Sequence, residues 1–106
     1  MLPKQYRLDP KLIPLVARKG KRVSNEFLDI RVLGGGEVPQ FAISISVKVS
    51  KSAVIRNRIR RRIRPILLEL ASSGKITPGK YLLIAKSAEL ADIPGLEDTL
   101  KNLLLN

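Results

Sequence analysis

The segment from Ser52 to Arg64 carries six arginines and no acidic residue, and its isoleucines recur every four residues. At 100° per residue of an α-helix, the apolar side chains of this region occupy one narrow arc, with Leu67 at its edge. That arc contains Ile55, Ile59, Ile63, Ile66 and Leu70. The opposite side contains Arg60, Arg64, Asn57, Arg61 and Arg58, with Arg56 and Arg62 at the two borders. The segment therefore predicts a long amphipathic helix whose aliphatic stripe needs a second layer to cover it.

The arginine-rich side of this helix predicts a polyanionic partner. Six like charges on one helix repel one another, and a phosphate backbone lying along them offsets that repulsion. A guanidinium group donates two parallel hydrogen bonds to a phosphate and stacks on bases, and Asn57 adds a donor and an acceptor for a base edge or a ribose hydroxyl. A solvated face usually mixes both signs of charge, and a membrane-surface helix usually has Trp or Phe anchors. Nucleic acid is therefore the preferred partner.

The whole chain is basic and lacks the residues of most protein-based catalysis. Its 106 residues, the length of one domain, contain 20 Lys and Arg against 9 Asp and Glu, a formal charge of +11, with no Cys and no His. Without Cys and His there are no thiolate zinc sites, cysteine nucleophiles or histidine general bases. Residues 1–64 hold sixteen of the cations and four acids, so this part of the single domain 1–106 is expected to face the polyanion.

No segment predicts a membrane span or secretion. The longest stretch without charge runs from Val38 to Val47, well below the roughly 20 residues of a spanning helix. The N-terminal residues contain no apolar signal core. We therefore expect a cytoplasmic protein.

Five further elements are predicted around the basic helix. A short helix begins at Asp9-Pro10 and ends by Gly20; strands span Phe27 to Leu33, Gln40 to Val49 and Lys80 to Lys86; a last helix runs from Leu96 to Leu105. Ser50 or Ser52 caps the basic helix, which ends near Ala71. The order is helix, two or three strands, helix, strand, helix. It predicts an α+β fold: a two-layer α/β sandwich with a small mixed sheet.

The strand from Gln40 to Val49 alternates between an apolar face and a small polar face. Phe41, Ile43, Ile45, Val47 and Val49 point one way, and Ala42, Ser44, Ser46 and Lys48 point the other. The small face can lie under an extended chain, and it can equally be solvated.

The composition favours structured RNA over DNA. The recognition helix of a helix-turn-helix protein usually belongs to an all-helical domain, whereas strands are predicted here. An RNA-recognition sheet shows exposed aromatic side chains, and this chain has only Tyr6, Phe27, Phe41 and Tyr81. The mode that is left is recognition of the shape and backbone of structured RNA.

Ser46-Val47-Lys48-Val49, followed by Ala53 to Arg61 and by Arg64, resembles the Arg-Asn-Arg signature and lead-in strand of the protein subunit of bacterial ribonuclease P. The resemblance extends over nearly the whole chain. It implies a left-handed β-α-β crossover through the basic helix, although right-handed crossovers dominate. It also implies a catalytic RNA partner that removes the 5′ leader of precursor tRNA. Mg²⁺ would be held mainly by that RNA, with no catalytic or metal-binding residue on this chain and no obligate protein partner.

The resemblance also implies two sets of site residues. The catalytic RNA would contact Lys48, Lys51, Arg56, Asn57, Arg58, Arg60, Arg61 and Arg64. A cleft between the first helix, the sheet and the basic helix would take the single-stranded leader, with Ile13, Ala17, Ile30, Ser44 and Ser46 as candidates. The family usually offers aromatic side chains there, so leader binding is expected to be weaker here or to depend mainly on charge. There are two further departures from the family pattern. Val47 stands where a second Lys is common, and three residues separate Val49 from Ala53 where many members have two.

Two other functions remain open from the sequence. A non-enzymatic RNA-binding or ribosomal protein with a similar sandwich would leave precursor tRNA uncut. A self-sufficient nuclease would need Asp29, Glu26 and Glu37 to hold metal, but these acids lie near predicted strand ends and turns, where solvated acids are ordinary.

Overall fold

The computed structural model describes residues 2–105 and contains four strands and three α-helices. The strands are β1 (Lys21–Ser24), β2 (Leu28–Gly34), β3 (Pro39–Ser44) and β4 (Gly79–Ala85). The helices are α1 (Ile13–Lys19), α2 (Ala53–Ser72) and α3 (Leu96–Leu104). Short 3-10 helices span Lys4–Tyr6, Pro10–Leu12 and Ala88–Ala91. The predicted α+β class is confirmed.

The sheet is mixed and has the strand order β1-β2-β4-β3. Strand β2 is antiparallel to both β1 and β4, whereas β3 is parallel to β4. The connection between the two parallel strands contains α2, so the basic helix is the crossover of a β-α-β unit. The left-handed sense of this crossover stays a prediction. The N-terminal segment covers part of the outer edge of β3, where the Leu8 N–H donates to the Phe41 carbonyl at 2.9 Å.

The main core lies between one face of the sheet and helices α2 and α3. Leu28, Ile30 and Leu83 of the sheet are fully buried there. The inner stripe of α2 contains Ile59, Ile63, Leu67 and Leu70, whereas Ile55 and Ile66 are only half-buried. The prediction that Leu67 lies at the edge of the stripe was therefore wrong. The predicted inner stripe of α3 is confirmed, since Leu96, Leu100, Leu103 and Leu104 are all buried.

Helix α1 lies on the opposite face of the sheet and adds a partial third layer to the sandwich. Its fully buried Val16 packs with Leu8 and with Leu82 of β4 in a second, smaller hydrophobic cluster. Successive β4 residues therefore point into different clusters, Leu82 toward α1 and Leu83 toward α2 and α3. Coverage of both faces explains why the sequence of β4 is an almost continuous apolar run.

The start and end of α1 show why its sequence tolerates a proline and needs a glycine. Asp9 caps the preceding 3-10 helix, because its Oδ1 accepts a hydrogen bond from the Lys11 N–H at 3.0 Å. Pro14 lies in the first turn of α1, where its missing N–H costs no hydrogen bond. A Cβ at Gly20 would lie 2.5 Å from the Val16 carbonyl oxygen and 3.1 Å from the Arg31 Cβ. Only glycine fits where the chain turns from α1 into β1.

The end of β3 and the presence of β1 differ from the sequence prediction. Strand β3 ends at Ser44, paired with Ile84, because β4 ends one residue later and the chain beyond has no partner strand. Residues 45–52 instead form a loop, in which the Val49 N–H donates to the Ser46 carbonyl at 3.1 Å. Strand β1 was missed, because Lys21-Arg22-Val23-Ser24 has only one apolar residue and no apolar alternation to mark it.

Candidate nucleic-acid interface

The loop of residues 45–52 is fixed to the first turn of α2 by side-chain hydrogen bonds. Ser52 is the N-cap, since its Oγ accepts from the Ile55 N–H at 3.3 Å. Arg56 Nη1 donates to the Ser50 carbonyl at 2.8 Å, which joins the helix to the loop in front of it. Lys48 and Lys51 are exposed on this loop. The two predicted lysines therefore lie at the N-terminal end of the arginine helix, on an ordered segment.

One flank of α2 is engaged with the segment of residues 88–93. Arg62 donates from Nη1 to the Leu90 carbonyl at 2.8 Å and from Nη2 to the Ile93 carbonyl at 2.6 Å. Arg58 Nη1 lies 3.3 Å from Asp92 Oδ1, in an ion pair whose side chains are both largely exposed. Arg62, placed at a border of the helix from the sequence, is therefore a structural residue. Arg58 has an internal acidic partner.

The remaining cations of α2 face solvent or the sheet edge. Arg61 is exposed and Arg64 is half-buried, and neither forms a hydrogen bond or ion pair within residues 2–105. Asn57 is exposed, and its Oδ1 accepts from Arg60 Nη1 at 3.4 Å. Because α2 contains no acidic residue before Glu69, every charged side chain over its first four turns is positive.

A cleft lies where α2, β3 and the N-terminal segment meet. Its lining includes Leu8, Pro10 and Ile13 on one side, Ala42 and Ile43 of β3, and Arg64 of α2. The guanidinium-bearing side chain of Arg64 thus belongs both to the basic side of α2 and to the cleft. Arg7 also lines this cleft and was not among the predicted site residues. A lone arginine ahead of a short helix carries no sequence signal that separates it from a solvated charge.

Of the five predicted cleft residues, Ile13 lines this cleft, Ala17 lies near it on α1 without lining the cleft, and Ser44 and Ser46 are exposed at the end of β3 and just beyond it. Ile30 does not join them. It is fully buried in the main core, on the sheet face opposite to α1, so its assignment to the cleft was wrong. Alternation along β2 separates the two faces correctly, but it does not show which face α1 covers, and α1 covers the charged one.

The residue of β2 that meets α1 is Arg31, which the sequence interpretation missed. Its Nη1 donates to the Ala17 carbonyl at 3.0 Å, and its Nε and Nη2 both lie 3.4 Å from the carboxylate of Asp29. Asp29 is 8% exposed and is also paired with Arg22 of β1 at 3.3 Å. This network holds the C-terminal end of α1 on the sheet and pairs the carboxylate of Asp29 with two guanidinium groups.

Within residues 2–105, no three acidic side chains come together in a way that could hold a metal ion, and Glu26, Asp29 and Glu37 form no such group. Burial raises the pKa of the Tyr81 hydroxyl, which belongs to the core and donates to the Thr77 carbonyl at 2.5 Å.

No helix in residues 2–105 has the length and apolar character that crossing a membrane requires.

A mixed four-stranded sheet, crossed by an arginine-rich helix and bordered by a cleft, defines a small α+β protein suited to binding a polyanion. Comparison with known proteins specifies the family. The family model described as Ribonuclease P matches residues 2–106. The ribonuclease P protein component of Rippkaea orientalis is 35% identical over 98 residues, covering 86% of this chain and 76% of that protein. That of a Pseudanabaena species is 34% identical, covering 98% and 92%.

A solved structure gives the same fold. The ribonuclease P protein of Thermotoga maritima superimposes with a TM-score of 0.82 at 24% identity, over 94% of this chain and 98% of that one. The chain belongs to the ribonuclease P protein family, whose members are the protein subunits of an endoribonuclease that processes the 5′ ends of tRNA. The resemblance seen in the sequence is confirmed.

Proposed function

We propose that this chain binds the RNA subunit of ribonuclease P through the solvent side of α2 and the loop before it, and binds the 5′ leader of precursor tRNA in the adjoining cleft. The observation that carries the proposal is the continuity of the two surfaces at Arg64, which lines the cleft and lies on the basic helix. One RNA lying on α2 and a second strand entering the cleft would then be neighbours. We place this activity in the cytoplasm.

The solvent side of α2 supports binding of a folded RNA. Lys48, Lys51, Arg61 and Arg64 present positive charge on an ordered loop and helix with no acid among them. Arginine donors match phosphate oxygens in pairs, and each phosphate contact releases condensed counterions, so affinity should fall steeply with salt. Asn57 can read a base edge or a ribose hydroxyl amid these contacts.

The cleft supports binding of an extended single strand. Its lining includes the aliphatic side chains of Leu8, Ile13 and Ile43 together with Phe41, which is only 2% exposed, and its charge comes from Arg7 and Arg64. The exposed Ser44 at the end of β3 offers a hydroxyl donor and acceptor beside it. Aromatic stacking is worth about 1–3 kcal/mol per base, and no aromatic ring is available at Ile13 or Ala17. Leader binding here therefore depends on phosphate charge more than on base identity.

The catalytic step belongs to the RNA subunit, and Mg²⁺ held by that RNA would supply the activated water and stabilise the leaving oxygen. The residues of this chain bind and orient. Arg61 and Arg64 screen phosphate repulsion between the RNA subunit and the leader, which lowers the Mg²⁺ concentration needed to bring the two together. Ser44 and the aliphatic walls hold the leader extended away from the scissile phosphate.

The testing experiment is reconstitution with a bacterial ribonuclease P RNA transcribed in vitro. We expect the protein to lower the Mg²⁺ concentration that half-saturates 5′ cleavage of precursor tRNA, and to tighten binding of precursor tRNA more than of mature tRNA. The Arg61→Ala/Arg64→Ala variant should lose most of this effect, whereas Leu105→Ser at the end of α3 should retain it. An unchanged Mg²⁺ requirement with the wild-type protein would contradict the proposal. Cleavage by the RNA-free protein would instead support a self-sufficient nuclease.

A further inference from the structure

Two exposed valines lie on the basic surface at the entrance to α2. Val47 and Val54 are each 63% exposed, and in the described part of the chain the only other exposed large hydrophobic residue is Leu105, at the distant end of α3. Single exposed hydrophobic residues are ordinary on protein surfaces. Here, however, two of the three lie within seven residues of each other, Val47 in the loop of residues 45–52 and Val54 just after it, where the chain otherwise presents Lys48 and Lys51. We name Val47 and Val54 the valine patch.

The valine patch belongs to an ordered part of the surface. The Lys48 N–H donates to Ser46 Oγ at 3.2 Å, and the Val49 N–H donates to the Ser46 carbonyl at 3.1 Å, so the turn that holds Val47 is closed by two hydrogen bonds. Arg56 fixes the end of the loop to α2, and Val54 lies in the first turn of that helix. The backbone at both valines is therefore held by hydrogen bonds, so binding at these positions costs little backbone entropy.

The surroundings of the patch indicate what covers it. On α2, Asn57, Arg58 and Arg61 follow Val54 by three, four and seven residues, so they share its side of the helix. The isopropyl groups thus lie among cations that attract RNA, yet a phosphate gains nothing from contact with them. An A-form duplex exposes mainly phosphates and ribose hydroxyls, whereas an unpaired nucleotide exposes the apolar face of its base. The positive charge of α2 therefore favours RNA as the partner, and the exposed valine methyl groups favour contact with an unpaired base of that RNA.

We propose that the valine patch binds an unpaired nucleobase of the RNA that lies along α2. The inference rests on the proposed function, since it requires that α2 contact RNA. It concerns a feature particular to this chain, because Val47 stands where a second lysine is common in the family pattern. The base would pack against Val47 or Val54 while Lys48, Lys51 and Arg61 hold the flanking phosphates. Burial of apolar surface does not depend on counterion release, so this contact adds affinity without adding to the salt dependence.

The test measures the Kd of a bacterial ribonuclease P RNA, transcribed in vitro, for the full chain over a series of KCl concentrations. For Val47→Ser/Val54→Ser we expect roughly tenfold weaker binding at every salt concentration, with the slope of log Kd against log[KCl] unchanged. Serine and valine have similar helix propensities and both sites are exposed, so the melting temperature should not change. The matched control is Leu105→Ser, which removes an exposed hydrophobic residue away from the basic surface and should bind as the wild type does. A fully paired RNA duplex is the second probe, and the double substitution should not alter its Kd.

Three outcomes would overturn the inference: an unchanged Kd in the double valine variant, an equal loss with the duplex, or a loss accompanied by a shallower salt slope. Failure of the proposed function looks different. In that case the wild-type protein shows no salt-dependent affinity for the RNA, and Arg61→Ala has no effect on it. If Arg61→Ala lowers the slope while the valine variant binds normally, the proposed function stands and the valine contact does not.

Discussion

Both flanks of α2 carry arginines, but the arginines of the two flanks have different roles. On the flank that faces residues 88–93, Arg62 donates hydrogen bonds to two main-chain carbonyls and Arg58 pairs with the carboxylate of Asp92. Away from that segment, Arg61 and Arg64 have no internal partner within residues 2–105. The difference arises from the neighbours, because the end of the Ala88–Ala91 helix leaves carbonyl groups facing one flank only. In an arginine-rich helix, position relative to a neighbouring segment separates structural arginines from arginines that remain available for a ligand.

Arg62→Ala is expected to give the largest effect, a loss of stability that the substitutions on the other flank do not give. Two charge-assisted hydrogen bonds to the Leu90 and Ile93 carbonyls are lost, and we expect the free energy of unfolding to fall by about 2 kcal/mol. Urea denaturation followed by circular dichroism measures it. Arg61→Ala is the matched control, because it removes the same side chain one residue earlier and should change stability by less than about 0.5 kcal/mol. Equal stability losses in the two variants would remove the distinction between the flanks.

A smaller effect on stability is expected from Arg56→Ala, which removes the hydrogen bond to the Ser50 carbonyl. The loss should be about 1 kcal/mol, because one charge-assisted bond at the end of the helix is broken. The loop that carries Lys48 and Lys51 should also become mobile, so amide hydrogen exchange at residues 47–51 should accelerate. Exchange rates unchanged from the wild type would show that the Ser52 cap alone orders the loop.

The smallest effect is expected from Asp92→Asn, which frees Arg58 on the engaged flank. An exposed ion pair contributes less than about 1 kcal/mol, so stability should stay nearly constant. RNA affinity should increase by about twofold, since Arg58 no longer has an internal carboxylate that competes with phosphate. Glu97→Gln is the control, because it removes a different exposed acid, paired with Lys101 on α3. A similar gain in both variants would assign the effect to net charge rather than to Arg58.

Much of the fold follows from local patterns in the sequence. The isoleucine spacing of α2, the leucine stripe of α3 and the apolar run of β4 each specify an element and its buried side. The errors come from partners that lie far away in the chain. The alternation of Gln40 to Val49 continues past Ser44, but the strand stops there because β4 does not extend further.

The candidate site shows the same limit. The sequence predicts the basic side of α2 and places Arg62 at its border, but it cannot show that Arg62 holds the segment of residues 88–93. The family resemblance assigns Ile30 to the cleft, as a position where the family usually has an aromatic side chain, whereas the structure has Arg31 and Asp29 on the face that α1 covers. The face of a sheet that a short helix covers depends on the path of the whole chain. Neither the strand nor the helix specifies it alone.

The salt dependence of RNA binding tests the central claim most directly. The Kd of a bacterial ribonuclease P RNA should be measured from low to high KCl for the wild type, for Arg61→Ala/Arg64→Ala and for Arg62→Ala, each confirmed to be folded under the conditions used. If Arg61 and Arg64 contact phosphates, the slope of log Kd against log[KCl] should fall by about two units in the double variant. The slope of Arg62→Ala should equal that of the wild type. Equal slopes in all three proteins, or a loss of slope in Arg62→Ala alone, would contradict the assignment of the solvent side of α2 to RNA.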